Sequence, residues 1–280
     1  MDNIEKIVRN ADANARVEGV VLSDETIRMI NDCLKTDNSS FLFQLYLKSN
    51  KDLLEESEVL VSSKDSKYCY DNGVLKNYLG IKNRDVLDFV ASDNAAFYQT
   101  QIISGNDNYK FSFDINSYLN LHRKLFGAIF PFAGEIRDEK IYKSCKPYFD
   151  LKTTFCEPPY IYEYLKDLLR KMQVKIKEIK CREDLVKYLA YYYGEINMVH
   201  PFREGNGRTL RTYFLLLVKE LNKYISFGVF DLDYSLWDDD DMSLLEYATI
   251  VNSIYGNTDD IYTCFDKVLV GRTPEKKRLI

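Results

Sequence analysis

Within twelve residues, His200-Pro201-Phe202-Arg203-Glu204-Gly205-Asn206-Gly207-Arg208-Thr209-Leu210-Arg211, the chain sets a base, an acid, a Gly-Asn-Gly turn and two arginines side by side. Those types suit one chemistry: holding a polyphosphate and its metal while a hydroxyl attacks. Imidazole takes a proton near pH 7, which makes His200 the candidate general base. Glu204 is the candidate metal ligand, since Mg²⁺ on a nucleotide accepts one carboxylate beside phosphate oxygens and water. Gly205, Asn206, Gly207, Arg208 and Arg211 are the candidate phosphate-binding residues. Glycines let successive N–H groups point inward as an anion nest, and arginines three apart on a helix can face one anion. Each residue also has a plainer reading: a histidine ending a helix, an acid stabilising a helix start, a strong turn dipeptide, surface ion pairs. Their density in one loop favours the chemical reading. Pro201 and Phe202 read as structural, and Arg203 as facing solvent.

Two helices must hold this loop. Leu185, Leu189, Tyr192 and Ile196 recur at spacings of four, three and four, one apolar face leading into it. Leu210, Phe214, Leu217, Val218 and Leu221 give a second such face just after it. The loop therefore sits at a helix N-terminus, where unpaired N–H groups and the positive end of the dipole attract phosphate.

The run resembles the signature of the Fic family, His-Pro-Phe-x-Asp/Glu-Gly-Asn-Gly-Arg-x-x-Arg, at every fixed position. Gly194-Glu195-Ile196-Asn197, Tyr68 to Asn77 and the stretch 116–137 resemble bacterial members as well. The resemblance implies a mostly α fold, a Fic-type helical domain with a β-hairpin flap. It implies a protein adenylyltransferase: AMP passes from ATP to a Ser, Thr or Tyr hydroxyl of a protein, with Mg²⁺ on Glu204, Arg211 on the γ-phosphate and His200 as base. Ile141 to Phe155 has no helical period and corresponds to the flap, whose edge would align the target by strand addition. Tyr142, Phe149 and Phe155 are its aromatics, with core packing the default reading. His122 resembles a buried, hydrogen-bonded family histidine and not a catalyst. Ala91 stands where the family helix often has a glutamate.

Asn14-Ala15-Arg16-Val17-Glu18-Gly19 resembles the Fic inhibitory motif Ser/Thr-x-x-x-Glu-Gly/Asn, and the residues after it resemble small antitoxins that pair with bacterial Fic toxins. This implies that Glu18, with Asn14 and Gly19, enters the nucleotide site and pairs with Arg211, so the enzyme inhibits itself. Asn14 departs from the usual Ser/Thr, although an amide can hydrogen-bond in that place. A plainer alternative is an exposed glutamate before a C-cap glycine. By domains, residues 1–60 form the antitoxin-like inhibitory element, closest to the resemblance at 10–35. Residues 61–280 form the Fic domain with C-terminal helices. Self-modification on tyrosine is a further implication, and type II topoisomerase ATPase subunits are an external target by analogy. Two rivals stay open. One is a relative that removes AMP or transfers another nucleotidyl or phosphoryl group; the intact Gly205-Asn206-Gly207-Arg208 disfavours phosphate transfer. The other is a nucleotide-sensing module without activity.

Composition is consistent with this reading. The 280 residues are 46% hydrophobic and 29% charged, ordinary for a globular chain, and the net charge of −5 argues against a dedicated nucleic-acid surface. No apolar run approaches a membrane span, and Met1 to Glu5 begin acidic without a signal-type core, so a cytoplasmic protein is expected. Six scattered cysteines and two histidines make a zinc site unexpected.

Local signals place the remaining elements. A first helix is expected over 3–14 and a second after a Ser23 cap. Helices are further expected over 41–60, from Arg84 to about Ile103, over 116–127, and after Pro158-Pro159. The acidic run 238–241 reads as a solvated turn capping the helix from Ser243.

Overall fold

The computed structural model describes residues 3–35, 66–144 and 152–272. The first helix, α1 (Asn3–Arg16), runs two residues beyond its expected end. It buries Val8, Ala11 and Ala15 in the same core as the central helix α3 (Arg84–Ser104). Its buried Asn10 accepts the Tyr234 N–H at 2.7 Å and donates to the Leu232 carbonyl at 3.4 Å. Gly19, at φ 78°, then turns the chain in a conformation that other residues adopt only with strain. α2 (Asp24–Cys33) is capped as expected by Ser23, whose hydroxyl accepts the Thr26 N–H at 3.0 Å.

α3 is buried nearly all round, which is why its sequence shows little amphipathic period. Ala91 is one of its core residues. α4 (Ile115–Phe126) and α7 (Asn206–Leu221) pack against it, α6 (Arg182–Val199) packs on α7, and α5 (Ile161–Lys175) packs on α4 and α6. A 3₁₀ turn over Pro158–Tyr160 precedes α5, with its prolines where no N–H partner is needed. Strands β1 (Tyr142–Ser144) and β2 (Lys152–Thr154) pair antiparallel, Tyr142 opposite Thr154, as the hairpin expected before α5. β3 (Val229–Leu232) pairs antiparallel with β4 (Leu269–Arg272). Between them lie α8 (Asp239–Tyr255) and α9 (Asp259–Val268). The fold class is thus the mostly helical one, with a hairpin and an N-terminal helix. The helix expected over 41–60 and Phe149 of the hairpin lie outside the described residues.

The acidic run caps the helix as expected, but the helix starts earlier than Ser243. α8 begins at Asp239, because Asp238 and Asp241 cap each other's N–H groups at 3.0 and 2.9 Å. Asp238 also pairs with Lys267 at 3.0 Å, and Asp239 with Arg16 at 2.7 Å. The run therefore anchors α8 and the end of α1. No described helix is long and apolar enough to cross a membrane.

Asp93 of α3 is 1% exposed; one carboxylate oxygen accepts the Thr26 hydroxyl at 3.0 Å and the other has no partner among the described residues. Burial pushes its pKa from 3.8 up to about 7, with the Thr26 bond opposing only in part. Between those values the folded chain holds a proton that the unfolded chain has lost, so Asp93 erodes stability as pH rises through that window. In thermal melts from about pH 5 to about pH 8, the isosteric Asp93→Asn chain should lose about 2–5 °C less than the unaltered one. Parallel losses would remove Asp93 from the pH dependence.

Candidate active site

α6 buries Leu185, Leu189 and Ile196 fully and Tyr192 nearly so, and this packing fixes the residue that caps its C-terminus after Val199. That residue is His200, at φ 47° and ψ 62°, the one non-glycine with positive φ among the described residues. For a branched-out imidazole this conformation costs about 1–2 kcal/mol, which the surroundings must hold in place. The His200 N–H donates to the Ile196 carbonyl at 3.2 Å. Its ring Nδ1 lies 3.1 Å from the Asn197 carbonyl. A carbonyl only accepts, so Nδ1 carries the hydrogen and Nε2 the lone pair. The Phe155 ring stacks on the imidazole at 3.7 Å and 16°.

The loop after His200 is tied down from beneath. Phe202, with no exposure, stacks on His122 at 3.7 Å and 15°. His122 accepts the Gly134 N–H at Nδ1 (2.7 Å) and donates from Nε2 to the Glu204 carbonyl (2.9 Å). Burial lowers its pKa to about 3, so it is a neutral structural strut, as read from the sequence. Asn206 accepts the Phe202 N–H at 2.9 Å and donates to the Phe202 carbonyl at 2.8 Å. Its side chain is therefore engaged within the loop, and only its backbone N–H remains for an anion. That narrows the sequence reading of Asn206. Gly205, at φ 78°, starts α7 with its Cα against the Phe126 ring, where a Cβ would collide.

Glu204 is a third exposed; its Oε1 accepts the Gly205 N–H at 2.9 Å and pairs with Arg208 at 3.0 Å. Arg208 also donates to the Ser92 hydroxyl at 2.8 Å and lies over the Phe126 ring. Arg211, 2% exposed, turns the other way. Its Nε donates to Asn14 Oδ1 at 2.5 Å, and its Nη2 donates to the Asn14 carbonyl at 3.1 Å and to Glu18 Oε1 at 2.5 Å. The two arginines thus do not share one partner as the spacing suggested; each holds its own carboxylate. Burial works against the Arg211 charge, but Glu18 and the neighbouring Tyr193 outweigh it, and its pKa is raised. Asn14 fills the motif's Ser/Thr place with an amide. Its Nδ2 donates to Gln99 (2.5 Å), the Arg208 carbonyl (3.2 Å) and Thr212 (3.3 Å).

A cavity of about 750 Å³ opens over this loop, lined by His200, Glu204, Gly207, Arg208, Arg211 and Glu18 among others. The Glu18 carboxylate sits directly on Gly207, where a Cβ would strike it. Asp88 also faces the cavity; burial and the Glu204 charge push its pKa up to about 6. Chemically, the cavity offers a base, a carboxylate, the first turn of a helix and two buried cations, one of them masked by Glu18.

Several members were not read from the sequence. Asp88 and Ser92 lie four apart on one face of α3, a spacing with no chemistry of its own. Arg137 lies behind the loop and reaches it only through the fold. Phe155 is not a core residue but a lid on the base, and Tyr142 lines the cavity 60% exposed. Arg203 faces solvent only in part: it lines the cavity, its Nε is buried and its Nη2 lies 4.0 Å from Cys69 Sγ.

Residues 112–218 match the Fic/DOC family. The chain is similar to protein adenylyltransferase VbhT of Bartonella schoenbuchensis, 31% identical over 191 residues, 68% of this chain and 36% of that protein. It is also similar to the probable protein adenylyltransferase Fic of Escherichia coli, 29% identical over 146 residues, 50% of this chain and 66% of that protein. It thus spans from about a third to two thirds of the length of these two relatives. In fold it is similar to the BepC protein of Bartonella tribocorum, solved with bound AMPPNP. The TM-score is 0.61 at 22% identity, over 74% of this chain and 97% of that one.

Proposed function

Residues 112–218 of this chain are a Fic/DOC family domain, and from that premise we propose that the protein is an adenylyltransferase, moving AMP from ATP to a protein hydroxyl and held in check by its own Glu18. The observation that carries the proposal is the joint placement, in one cavity, of the His200 base, the glycine-bordered start of α7 and Arg211 under Glu18.

The residues present suit the substrate. The N–H groups at the start of α7 and the buried Arg208 and Arg211 would take the phosphates. A metal is implied too, and the donor set fits it: Glu204 is one partly exposed carboxylate at the cavity, which is what Mg²⁺ takes when phosphate and water supply the rest. Bound there, the ion would neutralise charge on the phosphates. The target would lie along the paired strands β1 and β2 and present a Ser, Thr or Tyr hydroxyl to His200. His200 Nε2 takes the hydroxyl proton as the oxygen bonds to the α-phosphorus. The α–β bridging P–O bond breaks, and pyrophosphate leaves with its electron pair. Most of the acceleration would come from positioning and fixed charge.

The test uses the full chain with Glu18→Gly, incubated with a bacterial lysate and ATP labelled at the α- or the γ-phosphate. Label retained on protein bands from the α-position alone supports AMP transfer. Retention of the γ-label, or of neither, overturns it.

Glu204→Gln keeps a partner for Arg208 but removes the charge. It should raise the Mg²⁺ concentration giving half-maximal activity about tenfold or more, roughly 1.4 kcal/mol of metal binding. An unchanged Mg²⁺ titration would reassign the ligand.

A further inference from the structure

Arg137 is a guanidinium 2% exposed whose side chain makes hydrogen bonds to four backbone carbonyls. Its Nε donates to the His200 carbonyl at 2.8 Å and its Nη1 to the Glu139 carbonyl at 2.7 Å. Its Nη2 donates to the Cys156 carbonyl at 2.7 Å and the Val199 carbonyl at 3.4 Å. Its own N–H donates to the Pro201 carbonyl at 2.9 Å, and the Cys156 N–H to the Met198 carbonyl at 3.0 Å. Three separate segments meet on this one side chain. Residue 139 precedes the hairpin, residue 156 follows it, and residues 198–201 carry the base.

The physical reasons converge. A helix ends with carbonyls that lack intrahelical partners, and Val199 and His200 are at the end of α6. A cation there satisfies those carbonyls and the negative end of the dipole. The left-handed backbone of His200 needs just such a restraint. Moreover, Phe155, which stacks on the imidazole, is the residue before Cys156. The fixed fork of a guanidinium can hold three chain segments at once, which a lysine ammonium cannot do in the same plane.

We infer that Arg137 is a positioning residue that couples the hairpin to the base: it holds both ends of the hairpin and the His200 backbone in one rigid unit, so that the strand that aligns the target also sets the orientation of the imidazole. This rests on the adenylyl-transfer reading for its kinetic consequence, and on geometry alone for its structural one.

The experiment compares the full chain carrying Glu18→Gly with and without Arg137→Lys. The chain has only two histidines, His122 and His200, so imidazole nitrogen NMR resolves both. In the parent, His200 should be the Nδ1–H tautomer and His122 the Nε2–H tautomer. With Arg137→Lys, the His200 signals should move toward a mixture while those of His122 stay. ATP affinity should change less than about twofold, while turnover of a protein substrate should fall about 10²-fold, the usual consequence of a misplaced reacting group. Unchanged His200 signals with parent turnover overturn the inference. So does a loss in which ATP binding and the His122 signals change equally, since that is general loosening. If the parent itself transfers no AMP, the adenylyl reading fails, and the two tautomer signals alone decide the role of Arg137.

Discussion

Replacing Glu18 with glycine is expected to raise AMP incorporation into protein about tenfold or more over the unaltered chain, measured as retained α-label per unit time. The reason is competition for one cation. Arg211 is almost wholly buried, and its Nη2 is shared between the Asn14 carbonyl and Glu18. A γ-phosphate that needs this guanidinium must displace a carboxylate 2.5 Å away. Removing one partner of such a charge-assisted pair commonly shifts binding by about 2–5 kcal/mol, and because Glu18 is a third exposed the lower end is the better guide. The variant keeps Arg211 placed, because its Nε stays bonded to Asn14 Oδ1. Arg211→Ala should therefore not reproduce the gain, since it removes the proposed phosphate ligand along with the Glu18 contact. Deleting α1 outright is not an equivalent experiment: Val8, Ala11 and Ala15 are core residues and Asn10 holds the Tyr234 and Leu232 backbone. Equal labelling by the unaltered and Glu18→Gly chains would remove the N-terminal element from control of the site.

The second large effect belongs to His200. In the Glu18→Gly background, His200→Ala should lower transfer by about 10²–10⁴, the range that general-base catalysis supplies, with ATP affinity nearly unchanged. The separation is expected because His200 has its Nδ1 on the Asn197 carbonyl and its ring under Phe155. The groups proposed to face the phosphates come from α7 and its cap. A helical C-cap in the left-handed region also accepts alanine poorly. Thermal melts therefore belong beside the kinetics, and His200→Asn, which tolerates that backbone better, is the companion variant. Transfer at the parent rate in either would take His200 out of the mechanism.

Sequence and structure agree most closely where the chemistry is contiguous. The loop from His200 to Arg211 lies between two helices whose apolar spacing is unambiguous, so its place in the fold could be read directly. The hairpin was legible from its lost helical period and the prolines after it, and Ser23 from ordinary cap chemistry. Glu18 was legible only because a short motif resembles a known one; nothing in its local spacing points 193 residues ahead to Arg211. Long-range partners were not legible. Ser92 meets Arg208, Phe126 closes on Gly205, and Arg137 gathers carbonyls from three segments, all through packing that no local period encodes. The acidic run was legible as a helix cap, but its partners Lys267 and Arg16, distant in sequence, were not.

The most direct test of the central claim is product stoichiometry in the Glu18→Gly chain with ATP, Mg²⁺ and a protein acceptor. Pyrophosphate and protein-bound AMP are measured in the same reaction. Adenylyl transfer through this cavity predicts one pyrophosphate released for each AMP retained on protein, with both lost together in His200→Ala. Orthophosphate as the released product, or pyrophosphate without protein-bound AMP, would contradict it.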